Sequence, residues 1–167
     1  MMPKPLPAEY LIDATLSWSE ALFGVQEGWA DPRLLILLAE RRLSTNDGLG
    51  DDEIQLAGLR RDEHLDAVAL AKRLSARETY DAVKIQAKWQ CLILRWLYDK
   101  RDQFPDPLGI VEIIFADFGY PSSMESFVRF MPAADGYDPQ AHSRADNERR
   151  LIALWGQYAN SCGQGHL

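Results

Sequence analysis

The chain has 167 residues, 47% of them hydrophobic, with five tryptophans and a formal net charge of −7. It is long enough to bury a core and too apolar to stay disordered, while its charge argues against nucleic acid as a ligand, since phosphate binding needs a basic surface. No apolar run reaches the roughly 20 residues that span a bilayer, and "MMPKPLPAEY" lacks the apolar centre of a signal peptide, so a cytoplasmic protein with no membrane partner is expected.

The helical signals follow one another along the chain. "SWSEALFGVQEG" offers Ser17 as N-cap, Glu20 as its capping-box partner and Gly28 as a stop. "DPRLLILLAERRL" sets Asp31 before Pro32, and "STNDGLGDD" then breaks the chain. A short helix is expected from Asp51 to Gly58, and a longer one in "DEHLDAVALAKRL". From Glu78 to Arg101, Ala82, Ile85, Trp89, Leu92, Ile93 and Trp96 recur at three- and four-residue steps. Leu94, Leu97 and Tyr98 widen that face, which predicts a central helix with Trp89 and Trp96 in the core.

"PDPLGIVEIIFADFG" places Asp106 before Pro107 and closes on Gly119, which favours helix over strand. "SSMESFVRF" offers Ser122 and Glu125 as a second capping box, with Phe127, Val128 and Met131 on a buried side and Pro132 as the stop. "SRADNERRLIALWGQYA" supplies the last helix, with Leu151, Leu154, Trp155 and Tyr158 on one face. The expected fold is all-α, with seven or eight helices stacked as antiparallel pairs in a short α-solenoid or an irregular helical bundle. A single helical domain over residues 1–167 is expected, with flexible ends at 1–10 and 161–167.

Chemical motifs are scarce. Cys91 lies in an apolar helical run and Cys162 in a Gly-rich tail, so the first is expected as a small buried hydrophobe and no disulfide is expected. His64 sits among acids without a second histidine four residues on, and His166 is next to last. No GxSxG, GxGxxG or GxxxxGK[ST] pattern occurs, and no cofactor or metal site is expected. Asp51 and Asp52 fall where a helix N-terminus favours acids. Asp117 instead ends an apolar helix, where negative charge is disfavoured, and calls for a partner such as Arg129 or Arg95. Charge is uneven: residues 46–67 hold seven acids against Arg60 and Arg61, and residues 99–138 hold eight acids against three bases.

The stretches "F-x-DPL", "ADF-x-YP", "SFVR-x-MP" and "DGYDP", the Trp-rich helix before them and the opening "LSWSEALFGVQEGW" together resemble a bacterial family catalogued as domain of unknown function 2247. The resemblance implies a small, standalone, helical bacterial protein and carries no catalytic residues over. Two functional readings follow. In the first the chain is a non-enzymatic protein-binding module, such as an immunity-type protein whose acidic surface neutralises a basic toxin. Its partner-binding groups would be Arg129, Asp135, Tyr137, Asp138, His142 and Asp117. In the alternative it is an enzyme of unfamiliar type, with those same groups converging on a polar cleft within residues 117–142.

Overall fold

The computed structural model describes residues 2–46 and 48–163. Among them stand eight α-helices: α1 (Ala8–Leu11), α2 (Trp18–Gln26), α3 (Arg33–Thr45), α4 (Asp51–Ala57), α5 (His64–Ser75), α6 (Ala82–Asp99), α7 (Pro107–Asp117) and α8 (Arg144–Cys162). Three short 3-10 helices, Arg101–Gln103, Ser122–Phe127 and Pro139–Ala141, complete them, and the described residues include no strand. The fold is all-α. No helix of the described residues is long and apolar enough to cross a membrane. By contact the chain divides into two compact units, residues 3–89 and residues from 90 onward, and α6 contributes to both.

The first unit is organised around α2. Ser17 caps this helix as its sequence predicts: its side chain accepts from the Glu20 amide and its own amide donates to the Glu20 carboxylate, a complete capping box. The two amides left between them, Trp18 and Ser19, donate to the Glu78 carboxylate at 3.0 and 2.7 Å, from 60 and 59 residues away. A helix start leaves its first amides without internal partners, and here a distant side chain satisfies two of them. Trp89 is fully buried, and its indole Nε1 donates to the Glu20 carbonyl at 2.7 Å. Gly24 makes room for that ring, since a side-chain carbon there would overlap it.

Helix α5 buries Ala67, Leu70, Ala71 and Leu74 and packs against α2, α3 and α4, the arrangement of an irregular bundle. Asp52 is 5% exposed and bridges from α4 to Arg73 at 2.8 Å and Arg77 at 2.5 Å. Its role thus exceeds the helix-start preference read from sequence, because a buried carboxylate needs this pairing. Within the N-terminal stretch expected to be flexible, Leu6 is buried and its amide donates to the Trp29 carbonyl at 2.9 Å.

The second unit centres on Trp155, fully buried, whose Nε1 donates to the Leu94 carbonyl at 3.1 Å. Tyr98 meets it edge-on at 5.3 Å and passes over Gly156, where any side chain would collide with the phenol. Gln90 is buried and donates to Ser123 Oγ at 2.7 Å and Tyr158 Oη at 3.1 Å, tying α6 to α8 and to the 3-10 turn. Burial pushes the Tyr158 phenol up to about 12.

Three expectations need correction in this unit. Trp96 is half-buried, with Phe104 edge-on at 6.2 Å, so Trp155 and not Trp96 fills the core. Ser122–Phe127 is a 3-10 helix whose start has no side-chain cap, so the second capping box does not form. Cys91 and Cys162 are joined as a disulfide with Cα atoms 5.9 Å apart, and Cys162 is the last residue of α8 instead of part of a loose tail. Spacing along the chain could not reveal this, since helix packing brings the two together across 71 residues. His166 lies outside the described residues.

Candidate functional site

The stretch after α7 is held from below by one arginine. Asp106 caps α7 and accepts from the Gly109 amide at 3.2 Å, while Glu112 projects from the helix one turn further on. Arg129 reaches both: Nε and Nη2 contact the two Glu112 oxygens at 2.8 and 3.2 Å, and Nη2 reaches Asp106 Oδ2 at 3.0 Å. Gly109 permits this crossing, because a side chain there would strike the Asp106 carboxylate. Hydrogen bonding to Glu112 first, and to Asp106 second, strengthens the hold of Arg129 on its proton. The same guanidinium holds the Asp106 carboxyl below the usual carboxylate range.

What this clamp fixes is the residue that follows. Val128 is buried and Arg129 is 18% exposed at its side chain, yet Phe130 between them and Met131 is 94% exposed. Phe130 also sits at φ 68°. A non-glycine residue pays roughly 1–2 kcal/mol in the left-handed region. Tyr120, 66% exposed, shares that conformation at φ 60°, its ring edge-on to Phe115 at 5.2 Å. Before both in sequence, Ile113 on α7 is 46% exposed. A helix as apolar as α7 normally buries its whole circumference, so an open isoleucine there leaves apolar surface without cover.

A second cluster forms where the chain enters α8. The Tyr137 hydroxyl donates to Asn147 Oδ1 at 2.5 Å, and Asn147 Nδ2 donates to the Pro139 carbonyl at 3.0 Å. The His142 ring stacks on Tyr137 at 4.7 Å, and the Arg150 guanidinium lies 4.0 Å from the same ring's centre. Arg150 also pairs with Asp135 at 2.7 Å, and this hydrogen bond holds the Asp135 carboxyl below its ordinary range. Asp138 caps the Pro139–Ala141 turn by accepting from the Gln140 amide at 3.0 Å.

Of the six residues singled out by sequence, the structure gathers Asp135, Tyr137, Asp138 and His142 in this one segment. Arg129 belongs to the α7 clamp, and Asp117 is exposed and takes part in none of the ion pairs among the described residues. Arg129 therefore pairs with Asp106 and Glu112, not with Asp117. No hydrogen bond, ion pair or ring contact among the described residues joins Asp117 or Arg129 to the Tyr137 cluster. The polar groups expected to face a partner are largely spent within the chain: Arg129 and Asp135 in ion pairs, Tyr137 on Asn147, Asp138 on a cap. The open groups are Phe130, Tyr120 and Ile113, which sequence spacing did not pick out. One signal was present: Phe130 falls off the face set by Phe127, Val128 and Met131.

In the first unit an open cleft of about 480 Å³ is lined by Ala8, Ile12, Leu37, Glu40 and Arg41 among others, and contains none of the six residues. No group of three His, Cys, Asp or Glu among the described residues is placed to hold a metal ion.

This is an all-α protein whose C-terminal half presents exposed apolar side chains, Phe130 among them beside the ion-paired Arg129. The chain belongs to the family described as "Uncharacterized protein conserved in bacteria (DUF2247)", whose model matches residues 10–161. No curated protein and no solved structure matches it.

Proposed function

We propose that the chain is a protein-binding module that meets its partner through Phe130. The supporting observation is the exposure of that ring, 94%, in a left-handed backbone conformation between two anchored neighbours. Strain of this kind persists where surrounding structure enforces it, and it gathers at contact sites. A large aromatic that is solvent-exposed in the free protein, on backbone flanked by a buried and an ion-paired residue, is suited to anchor an interface, since it brings large apolar area and asks little ordering of the backbone.

The chemistry of the partner follows from the surroundings. Glu125 is exposed five positions before Phe130 in sequence, and the chain carries a net charge of −7. The partner fitted to this surface has an apolar pocket with a basic rim, which a basic toxin neutralised by an immunity-type protein would supply.

The test uses the intact chain as bait in a bacterial extract, beside Phe130→Ala and Leu65→Ala. Leu65 is 88% exposed on α5 and serves as an equally open apolar control. Phe130→Ala should lose at least tenfold of a salt-sensitive partner that wild type and Leu65→Ala both retain. Equal capture by all three, or no partner specific to wild type, overturns the reading.

A further inference from the structure

We propose that Cys91 and Cys162 form a reversible thiol–disulfide exchange site whose substrate is a low-molecular-weight thiol. The inference is independent of the partner surface and rests on three observations. The first is access: Cys91 is 8% exposed on α6, whereas Cys162 is half-buried at the end of α8, which makes Cys162 the more open of the two residues to an incoming thiolate.

The second is charge. Arg95 stands one turn after Cys91 on α6, and a side chain at Gly163, next to Cys162, would collide with its guanidinium. The same cation thus lies one turn along α6 from Cys91 and beside the residue that follows Cys162. A neighbouring arginine favours thiolate over thiol, which speeds both attack and departure in exchange.

The third is what the bond fastens. Ala159 is the last buried residue of α8, and Asn160 and Ser161 are exposed. Among the described residues, the side-chain hydrogen bond in this final turn stays within it, from Ser161 Oγ to the Tyr158 carbonyl. The disulfide and the approach of Arg95 to Gly163 tie the turn to α6.

The exchange balances with two equivalents of thiol. The first thiolate attacks Cys162 Sγ, the Cys162–Cys91 bond breaks, and Cys91 leaves as a thiolate that takes up a proton. A second thiolate attacks the added sulfur of the mixed disulfide, releasing Cys162 as a thiol and the small molecule as its own disulfide. Two electrons pass from the small thiols to the protein, and the reverse sequence re-forms the bond. In a reducing compartment the disulfides that form are characteristically transient, catalytic or redox-sensing, and Cys162 is open enough for exchange.

The experiment equilibrates the full chain in glutathione and glutathione-disulfide mixtures, then counts free thiols by alkylation and mass spectrometry. Hydrogen exchange is recorded on the oxidised and reduced forms. The pair should interconvert with a midpoint inside the buffered range. Reduction should raise exchange in residues 160–163 at least severalfold more than in the segment around Trp155. Arg95→Gln, a change at an exposed position, should slow exchange with glutathione severalfold. A pair that stays oxidised or stays reduced across the whole series overturns the proposal, as does an unchanged rate in Arg95→Gln or unchanged protection after Ala159.

Discussion

At the scale of single residues, the tightest fit is Gly24 beneath the Trp89 indole. The ring cannot retreat freely, because its Nε1 is bonded to the Glu20 carbonyl on the same helix. Gly24→Ala should therefore cost about 1–3 kcal/mol by overpacking, against the small gain that alanine normally brings to a helix. Trp89→Ala should cost about 3–5 kcal/mol, and Trp96→Ala, which removes a half-buried ring, clearly less. Urea denaturation of the three variants orders them, and a Gly24→Ala protein as stable as wild type would show that the indole can move. Tyr158 adds a pH signature. Its phenol is pushed up to about 12 from 10.0. An unfolded chain therefore ionises it first, and the stability it holds below pH 10 is lost as pH rises from about 10 to about 12. Melting temperatures of wild type and Tyr158→Phe should converge over that window; parallel curves would rule the effect out. Trp89 was legible from three- and four-residue spacing, but Gly24 was not, because nothing local says which ring will lie over it.

Among the elements, two helices announced by local chemistry start where that chemistry placed them. The Ser17–Glu20 box opens α2, and Asp106 with Pro107 opens α7, settling "GIVEIIFADF" as helix. The Ser122–Glu125 pattern failed because the segment tightens into a 3-10 turn with Phe127 buried, which removes the geometry a capping box requires. The candidate site was half legible for a related reason. Sequence identifies polar groups able to bind but not those already satisfied, and Arg129 and Asp135 are occupied by residues 15 to 23 positions away. The Glu78 cap on α2 was equally invisible, being long-range. Glu78→Ala should cost about 1.5–3 kcal/mol, the range for hydrogen bonds to a charged acceptor, with Glu78→Gln milder. Hydrogen exchange at the Trp18 and Ser19 amides reports it, and unaltered protection there would assign the cap no energetic role.

For the molecule as a whole, division by contact falls between Trp89 and Gln90, inside α6. No change of composition and no glycine- or proline-rich linker marks that point, so a reading by linkers has nothing to find there. Each unit has its own buried tryptophan, Trp89 in one and Trp155 in the other. Hydrogen exchange should show Trp155→Ala loosening residues from 90 onward more than residues 3–89, and Trp89→Ala the reverse. An equal loss throughout either variant would mean that the chain opens as one cooperative body. The disulfide lies wholly within the second unit and spans 71 residues, so Cys91→Ser should cost that unit about 4 kcal/mol if loop entropy governs. A variant within about 1 kcal/mol of wild type in thermal and urea unfolding would show that helix packing alone closes the loop.

The seat of Glu78 on the start of α2 also sets an order of events during synthesis. Chains leave the ribosome from the N-terminus, and a nine-residue helix standing alone is marginal in water. When Trp18 and Ser19 emerge, the carboxylate that will receive their amides is still about sixty residues from being made. The Ser17–Glu20 box can close at once, whereas the Trp18 and Ser19 amides stay open to solvent until Glu78, beyond the end of α5, has been translated. A ribosome stalled before residue 78 is exposed should therefore hold a nascent α2 that exchanges its first-turn amides freely, and release past that point should quench the exchange.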